Sequence, residues 1–174
     1  MSELKQYRDP WMFENTIKEN IVGFYPREFY VFDNFSAFAI EFEGPHYPTV
    51  EHAYQSLSFK GADDRLADEI IHAKSAHDAQ KIAYANKDKR RSDWDVIKLN
   101  VMEKLLRAKI EQHPYVKKKL LDTFDYAIVE DSPKDDYWGC GIHRDGANHL
   151  GKLWVKLRTE IKLSEGHKRI QNND

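Results

Sequence analysis

The chain has 174 residues, with 27 basic and 29 acidic side chains, a net charge of -2 and 13% aromatic residues. A chain of this length suits one domain and buries roughly 70% of its unfolded surface, while the balanced charge excludes a global field that would recruit nucleic acid or an anionic membrane. One cysteine, Cys140, excludes an internal disulfide, no apolar run approaches the ~20 residues of a bilayer span, and MSELKQYRDP lacks a leader pattern, so the expected compartment is the cytoplasm.

Along the chain, residues 1–20 are polar and weakly periodic and read as an N-terminal extension. The folded body is placed at 21–163, and the polar SEGHKRIQNND at 164–174 reads as a flexible C-terminal tail. FYVFDNFSAFAIEFEG, at 29–44, alternates apolar and aromatic positions and ends at the turn signal Gly44-Pro45, which predicts short strands or a strand pair. From Thr49, a ready N-cap, Val50, Ala53, Tyr54 and Leu57 recur at helical steps until Gly61. DDRLADEIIHA is a second helix. SAHDAQKIAYANKD is a third, opened by Ser75 with Asp78 in a capping-box arrangement. SDWDVIKLNVMEKLLRAKIEQ repeats that start with Ser92 and Asp95 and carries Trp94, Ile97, Val101, Leu105 and Ala108 along one stripe. Pro114 starts a further helix, YAIVE is a short strand, and an amphipathic helix runs through KLWVKLRTEI. With no internal repeat or linker, the expected fold class is α+β, a single compact and mainly helical domain with a few short strands.

Three stretches carry polar groups suited to chemistry. In the first helix Glu51, Tyr54, Gln55 and Ser58 share a face at helical spacing, while Val50, Ala53 and Leu57 occupy another; the plain alternative for Glu51 is a carboxylate that complements the helix dipole. Lys60 beside Gly61 has the matching alternative of a cation at the helix end. The second stretch, EDSPKDDYWGCGIHRDGANHLG at 130–151, sets four acids before Trp138 and then four glycines, a loop able to approach a ligand or simply to turn tightly. Asn148 in it suits either a helix cap or a ligand contact. The third, NKDKRRSDW at 86–94, places cations before a helix start, as a phosphate site does and as an ordinary solvated charge run does; Trp94 there stacks on a base or fills the core. No HExxH or paired Cys/His spacing supports a metal, and Cys140 reads as a small buried residue rather than a nucleophile.

Six motifs in order, FDNFSAF, YPTVEHAYQSLSFK, SAHDAQKIA, RSDW leading to VMEKLLRAK, IVEDSPKDDYWGCG and GANHLGKLWVKLR, resemble the YbiA-like members of the NADAR superfamily over residues 24–158. The resemblance implies an N-glycosidase that needs no cofactor and no metal and does not work at a membrane. Its substrate is a small phosphorylated ribosyl heterocycle, a ribosylaminopyrimidine phosphate of the riboflavin pathway; the alternatives are ADP-ribose on guanine in nucleic acid, or a module that binds NAD or ADP-ribose without cleaving it. Carried over, the catalytic residues are Glu51, Asp135 and Lys60. Glu51 stabilises the developing ribosyl cation and handles the water, Asp135 helps with ribose hydroxyls or water, and Lys60 holds phosphate or leaving-group oxygen. Trp138 and Trp94 stack on the heterocycle and Asn34-Phe35 line the pocket. Gln55, Arg91, Glu130, Gly139, Arg144 and Asn148 complete the expected substrate contacts, with Arg90 beside Arg91 a further phosphate candidate.

Overall fold

The structure, a computed structural model, describes residues 21–24 and 29–171; the extension read at 1–20 lies outside the described residues. In chain order the elements are β1 (Ile21–Phe24), a 3-10 turn (Tyr30–Phe32), β2 (Ile40–Glu41), β3 (His46–Tyr47), α1 (Val50–Leu57), α2 (Asp64–Ile71), α3 (Ala76–Ala85), a second 3-10 turn (Lys87–Lys89), α4 (Trp94–Gln112), α5 (Pro114–Leu121), β4 (Ala127–Glu130) and α6 (His149–Gln171). This is the expected α+β class, mainly helical with short strands. The described residues form two compact units: one is Asn34–Pro114, and the other is assembled from described residues before Asn34 and after Pro114. No linker or change of composition marks that division in the sequence.

In the central unit, β2 and β3 pair antiparallel, Ile40 opposite Tyr47 and Glu41 opposite His46, around Gly44 at φ 106°. The strand pair expected from the alternating aromatics is therefore present at its C-terminal half. Tyr30–Phe32, in the other unit, is a 3-10 turn instead, with Val31 and Phe32 both buried. Thr49 caps α1 as its position predicts, accepting the His52 N–H at 3.2 Å. The helix ends at Leu57 and a turn carries the chain to Gly61 at φ 80°. Asp63 and Ser75 cap α2 and α3 in the same way, through Leu66 N–H at 3.0 Å and Asp78 N–H at 3.1 Å. Phe59, Leu66, Ala67, Ile70, Ala79 and Ala83 close a core cluster.

Helix α4 departs from its predicted stripe. Its buried residues are Trp94, Met102, Leu105, Leu106, Lys109 and Ile110, rather than a line through Ile97, Val101 and Ala108. The physical reason is that segment 34–41 lies on this helix through polar as well as apolar contacts. Lys109 donates to Ser36 Oγ at 2.8 Å, Gln112 holds both the N–H and the C=O of Glu41 at 2.8 Å, and His113 Nε2 donates to the Ala39 carbonyl at 2.6 Å. The helix also starts after Asp93 rather than Ser92, and Asp93 makes no side-chain cap, because its carboxylate is engaged by Arg91.

In the discontinuous unit, β1 and β4 pair in parallel, from Ile21 opposite Ala127 to Phe24 opposite Glu130. Helix α6 packs on β4 at Gly151, where an added Cβ would run into the Ile128 carbonyl oxygen, so only glycine allows this approach. Trp154, fully buried, donates its indole N–H to the Phe32 carbonyl at 3.1 Å and meets the Phe32 ring at 5.1 Å. Arg158 ties down the turn before β4 through Thr123 Oγ1 at 2.7 Å and the Tyr126 carbonyl at 2.8 Å. The last helix does not end near residue 163 but continues to Gln171, so 164–171, read as part of a flexible tail, is helical. The segment lacks an apolar stripe, but Glu165 is held by Lys117 at 2.7 Å, a partner no local pattern displays.

Candidate active site

Every residue of α1 is buried, so its polar side chains are enclosed rather than presented to solvent on one face. Glu51, in the first turn, is 4% exposed. Its backbone N–H, one of the donors a helix start leaves unsatisfied, goes to the Asn34 carbonyl at 3.0 Å. Its carboxylate Oε1 accepts the Gln55 amide one turn later at 2.8 Å and the Gln80 amide of α3 at 3.4 Å. Gln55 in turn accepts from Arg90 Nη2 at 2.8 Å through its Oε1. A carboxylate enclosed like this is more than a surface complement to the helix dipole, because burial is tolerated only when donors replace water.

Arg90 is located from several sides. The following residue's N–H, that of Arg91, donates to the Ser58 carbonyl at 2.9 Å, which pins this stretch to the end of α1. The Arg90 guanidinium lies 5.8 Å from the ring centroids of both Phe59 and Tyr84, and its buried Nε has no hydrogen-bond partner among the described residues. Neither Arg90 nor Gln80 stood among the leading sequence candidates. Arg90 was readable as a further phosphate candidate in a run of cations and Gln80 only as part of the SAHDAQKIA motif, and no spacing rule links positions 51, 80 and 90.

The side chains of the other candidates of this unit have different surroundings. Lys60 is half-exposed and pairs with Glu43 at 3.3 Å, an open ion pair. Arg91 grips Asp93 with two bonds, 2.6 and 2.9 Å, and the bonds hold the Asp93 carboxyl below its usual range and raise the guanidinium. Trp94 is 4% exposed with its ring 4.9 Å from Tyr54, the core-filling of the two roles open to it. Asn34 is buried, its amide on Met102 Sδ at 3.5 Å and its Oδ1 without a hydrogen-bond partner among the described residues, while Phe35 is 38% exposed. His52, next to Glu51, points elsewhere: Nε2–H donates to the Ala73 carbonyl at 3.1 Å, so Nδ1 accepts from the Thr49 hydroxyl at 2.8 Å. Burial holds this imidazole below its ordinary pKa, and the geometry suits the neutral ring.

In the discontinuous unit the glycine-rich loop is organised by its own backbone. Asp135 Oδ1 accepts the N–H groups of Tyr137 at 2.9 Å and Trp138 at 2.7 Å. Asn148, at φ 49°, uses both ends of its amide on β4, accepting Glu130 N–H at 3.0 Å and donating to the Ile128 carbonyl at 2.9 Å. Gly139 is required where it stands, since an added Cβ would meet the Glu130 carbonyl at 2.8 Å. Trp138 stands partly open, edge-on to Tyr137 at 5.0 Å. Arg144 pairs with Asp131 at 3.1 Å. Cys140 is buried, and its desolvation, with the Asp131 charge beside it, pushes the thiol up to about 12, which leaves no thiolate nucleophile at neutral pH. Among the described residues no three His, Cys, Asp or Glu groups are placed to hold a metal ion, and no helix is long and apolar enough to cross a membrane.

A profile of the NADAR domain family matches residues 14–162, spanning both units. The chain is 36% identical over 132 residues to N-glycosidase Npun_R5314 of Nostoc punctiforme, covering 75% of this chain and 85% of that protein. It is 33% identical over 154 residues to N-glycosidase YbiA of Escherichia coli, covering 87% of this chain and 95% of that one. The NMR structure of the E. coli protein superposes with a TM-score of 0.76 at 34% identity, over 84% of this chain and 87% of that one. A third relative, the chloroplastic riboflavin biosynthesis protein PYRR of Zea mays, is 35% identical over 157 residues, which make up 82% of this chain but 25% of the larger maize protein.

Proposed function

We propose that this chain, which belongs to the NADAR domain family, is an N-glycosidase that hydrolyses the bond between nitrogen and the ribose anomeric carbon in phosphorylated ribosylaminopyrimidines and releases ribose 5-phosphate. The hydrolase class is supported by two relatives named N-glycosidases and the substrate class by the maize relative's name. The observation that carries the reading is Glu51, a carboxylate 4% exposed and held by amide donors at a helix start.

The chemistry follows from that group. As the nitrogen leaves, positive charge spreads over the anomeric carbon and the ring oxygen; an oriented carboxylate stabilises it and takes a proton from the attacking water. Water's hydroxyl ends on the anomeric carbon and a proton on the departing nitrogen. The amide donors and the helix start both favour the anionic form of Glu51, which is the form this role needs. Lys60 remains the family-matched cation for phosphate, whereas Asp135, with one oxygen engaged by its own turn, serves first to shape its loop.

The test is to incubate the purified chain with ribosylaminopyrimidine phosphates and follow ribose 5-phosphate. Turnover is expected, and Glu51→Gln lowers kcat by about 100- to 1,000-fold. Equal rates for the two proteins remove Glu51 from the chemistry. A second reading, removal of ADP-ribose from guanine in nucleic acid, is favoured by one feature: Tyr84, 48% exposed, with Lys87 4.2 Å over its ring and Lys89 two residues on. Turnover of that polymer substrate that falls steeply as salt rises selects it over the small metabolite.

A further inference from the structure

We propose that Arg90 is a positioning residue that acts on Glu51 through Gln55, fixing the direction of the Gln55 amide so that its NH₂ must face the carboxylate. The inference rests on the assignment of Glu51 as the working carboxylate. A glutamine side chain is two-faced: turned over, it presents oxygen where it had presented nitrogen. Beside a buried carboxylate the two orientations have opposite effects, because the NH₂ supports the anion and the oxygen repels it or requires a proton between them. Gln55 is 2% exposed, with Nε2 at 2.8 Å from Glu51 Oε1 and Oε1 at 2.8 Å from Arg90 Nη2.

A guanidinium has five N–H donors and no acceptor, so a partner in contact with it presents oxygen. Arg90 is the one member of the chain Arg90–Gln55–Glu51 whose polarity is fixed by covalent structure. It sets Gln55, and Gln55 sets Glu51. Gln80, the second amide on Glu51 Oε1 at 3.4 Å, adds to the anion's support from α3. Arg90 is suited to the task because its place does not depend on Gln55 alone: the Phe59 and Tyr84 rings flank it, and the Arg91 N–H to Ser58 C=O bond anchors its backbone to the end of the helix that carries Glu51 and Gln55. At either end of such a relay a charged partner strengthens the hydrogen bond, so the amide transmits the Arg90 charge to Glu51 without direct contact.

The decisive measurement does not depend on turnover. In the full chain carrying carboxyl-¹³C glutamate, the Glu51 resonance is the one lost in Glu51→Gln, and its titration midpoint is compared among variants. Arg90→Met and Gln55→Met each raise the midpoint by about one pH unit, the double variant goes no further than Gln55→Met alone, and Arg90→Lys, also a pure donor, stays near wild type. Should Arg90→Met not fold, Arg90→Gln replaces it, because a glutamine both donates and accepts and so no longer selects one face of Gln55. With a turned-over substrate, the acid limb of kcat/KM moves by the same amount as the midpoint. An unchanged midpoint in Arg90→Met, with KM raised and kcat kept, makes Arg90 a substrate-anion contact and overturns the proposal while leaving the N-glycosidase reading intact. A shifted midpoint in a protein that cleaves none of the substrates overturns that reading and leaves the relay standing.

Discussion

The α1 region and the glycine-rich loop at 131–148 are both dense in polar residues, yet they use them in opposite ways. Around α1, beside side chains that bond to backbone such as Thr49 and His52, Glu51 and Gln55 bond to other side chains: Glu51 to Gln55 and Gln80, and Gln55 to Arg90, none of these bonds needed to satisfy the helix backbone. In the loop, apart from the Arg144–Asp131 pair, the organising side chains bond to backbone: Asp135 to two N–H groups, and Asn148 to the Glu130 N–H and the Ile128 carbonyl of β4. The first arrangement creates a defined electrostatic environment for one carboxylate; the second makes an irregular loop hold its shape. A polar motif therefore points to chemistry when its groups are buried against one another, and to architecture when they close their own turn.

The contrast is broken most forcefully at Gly151, a purely architectural position. Gly151→Ala should cost about 3 kcal/mol in urea unfolding, although alanine favours a helix by about 1 kcal/mol, because its methyl meets the Ile128 carbonyl and α6 must move off β4. Stability equal to wild type would show that α6 does not approach β4 so closely. Next, Asp135→Ala removes an acceptor from two backbone donors and should lower stability by about 2 kcal/mol, with faster hydrogen exchange at Tyr137 and Trp138; Asp135→Asn, still an acceptor, keeps most of both. If Asn abolishes turnover as fully as Ala while exchange stays slow, the Asp135 carboxylate acts on substrate and the contrast fails there.

The smallest effect concerns His52, one residue from Glu51 but part of the architecture. Its folded-state pKa is held down by burial, so the unfolded chain takes up the proton first. The stabilisation is complete above the ordinary value near pH 6.5 and is lost as pH falls through the depressed one, with a slope of at most ~1.4 kcal/mol per pH unit. Unfolding curves between pH 7 and 5 should show the loss in the wild type and a flatter dependence in His52→Gln. Identical slopes would exclude His52 as the group responsible.

How legible these regions were depended on the range of the interaction. Thr49, Ser75, Pro114 and Gly44 were readable because a cap or a turn is satisfied within three or four residues, and the helices that Thr49, Ser75 and Pro114 start stand where expected. The buried face of α4 was misread because a stripe of apolar residues does not anticipate that Lys109 and Gln112 serve segment 34–41, some seventy residues earlier. Helix α6 ran past its predicted end for the same reason, Glu165 finding Lys117 across the unit.

Of the candidate site, sequence by itself determined the place of Glu51 in a capped first turn and in its family motif, which are local facts. It also determined that Gln55 stands one turn away on the same face. Only tertiary structure decided that Arg90, rather than Arg91, meets Gln55 and that Gln80 joins them, and that Trp94 fills the core beside Tyr54. A helix fixes its neighbours three and four residues apart by its own geometry, whereas bringing 51, 80 and 90 together requires the packing of three separate segments.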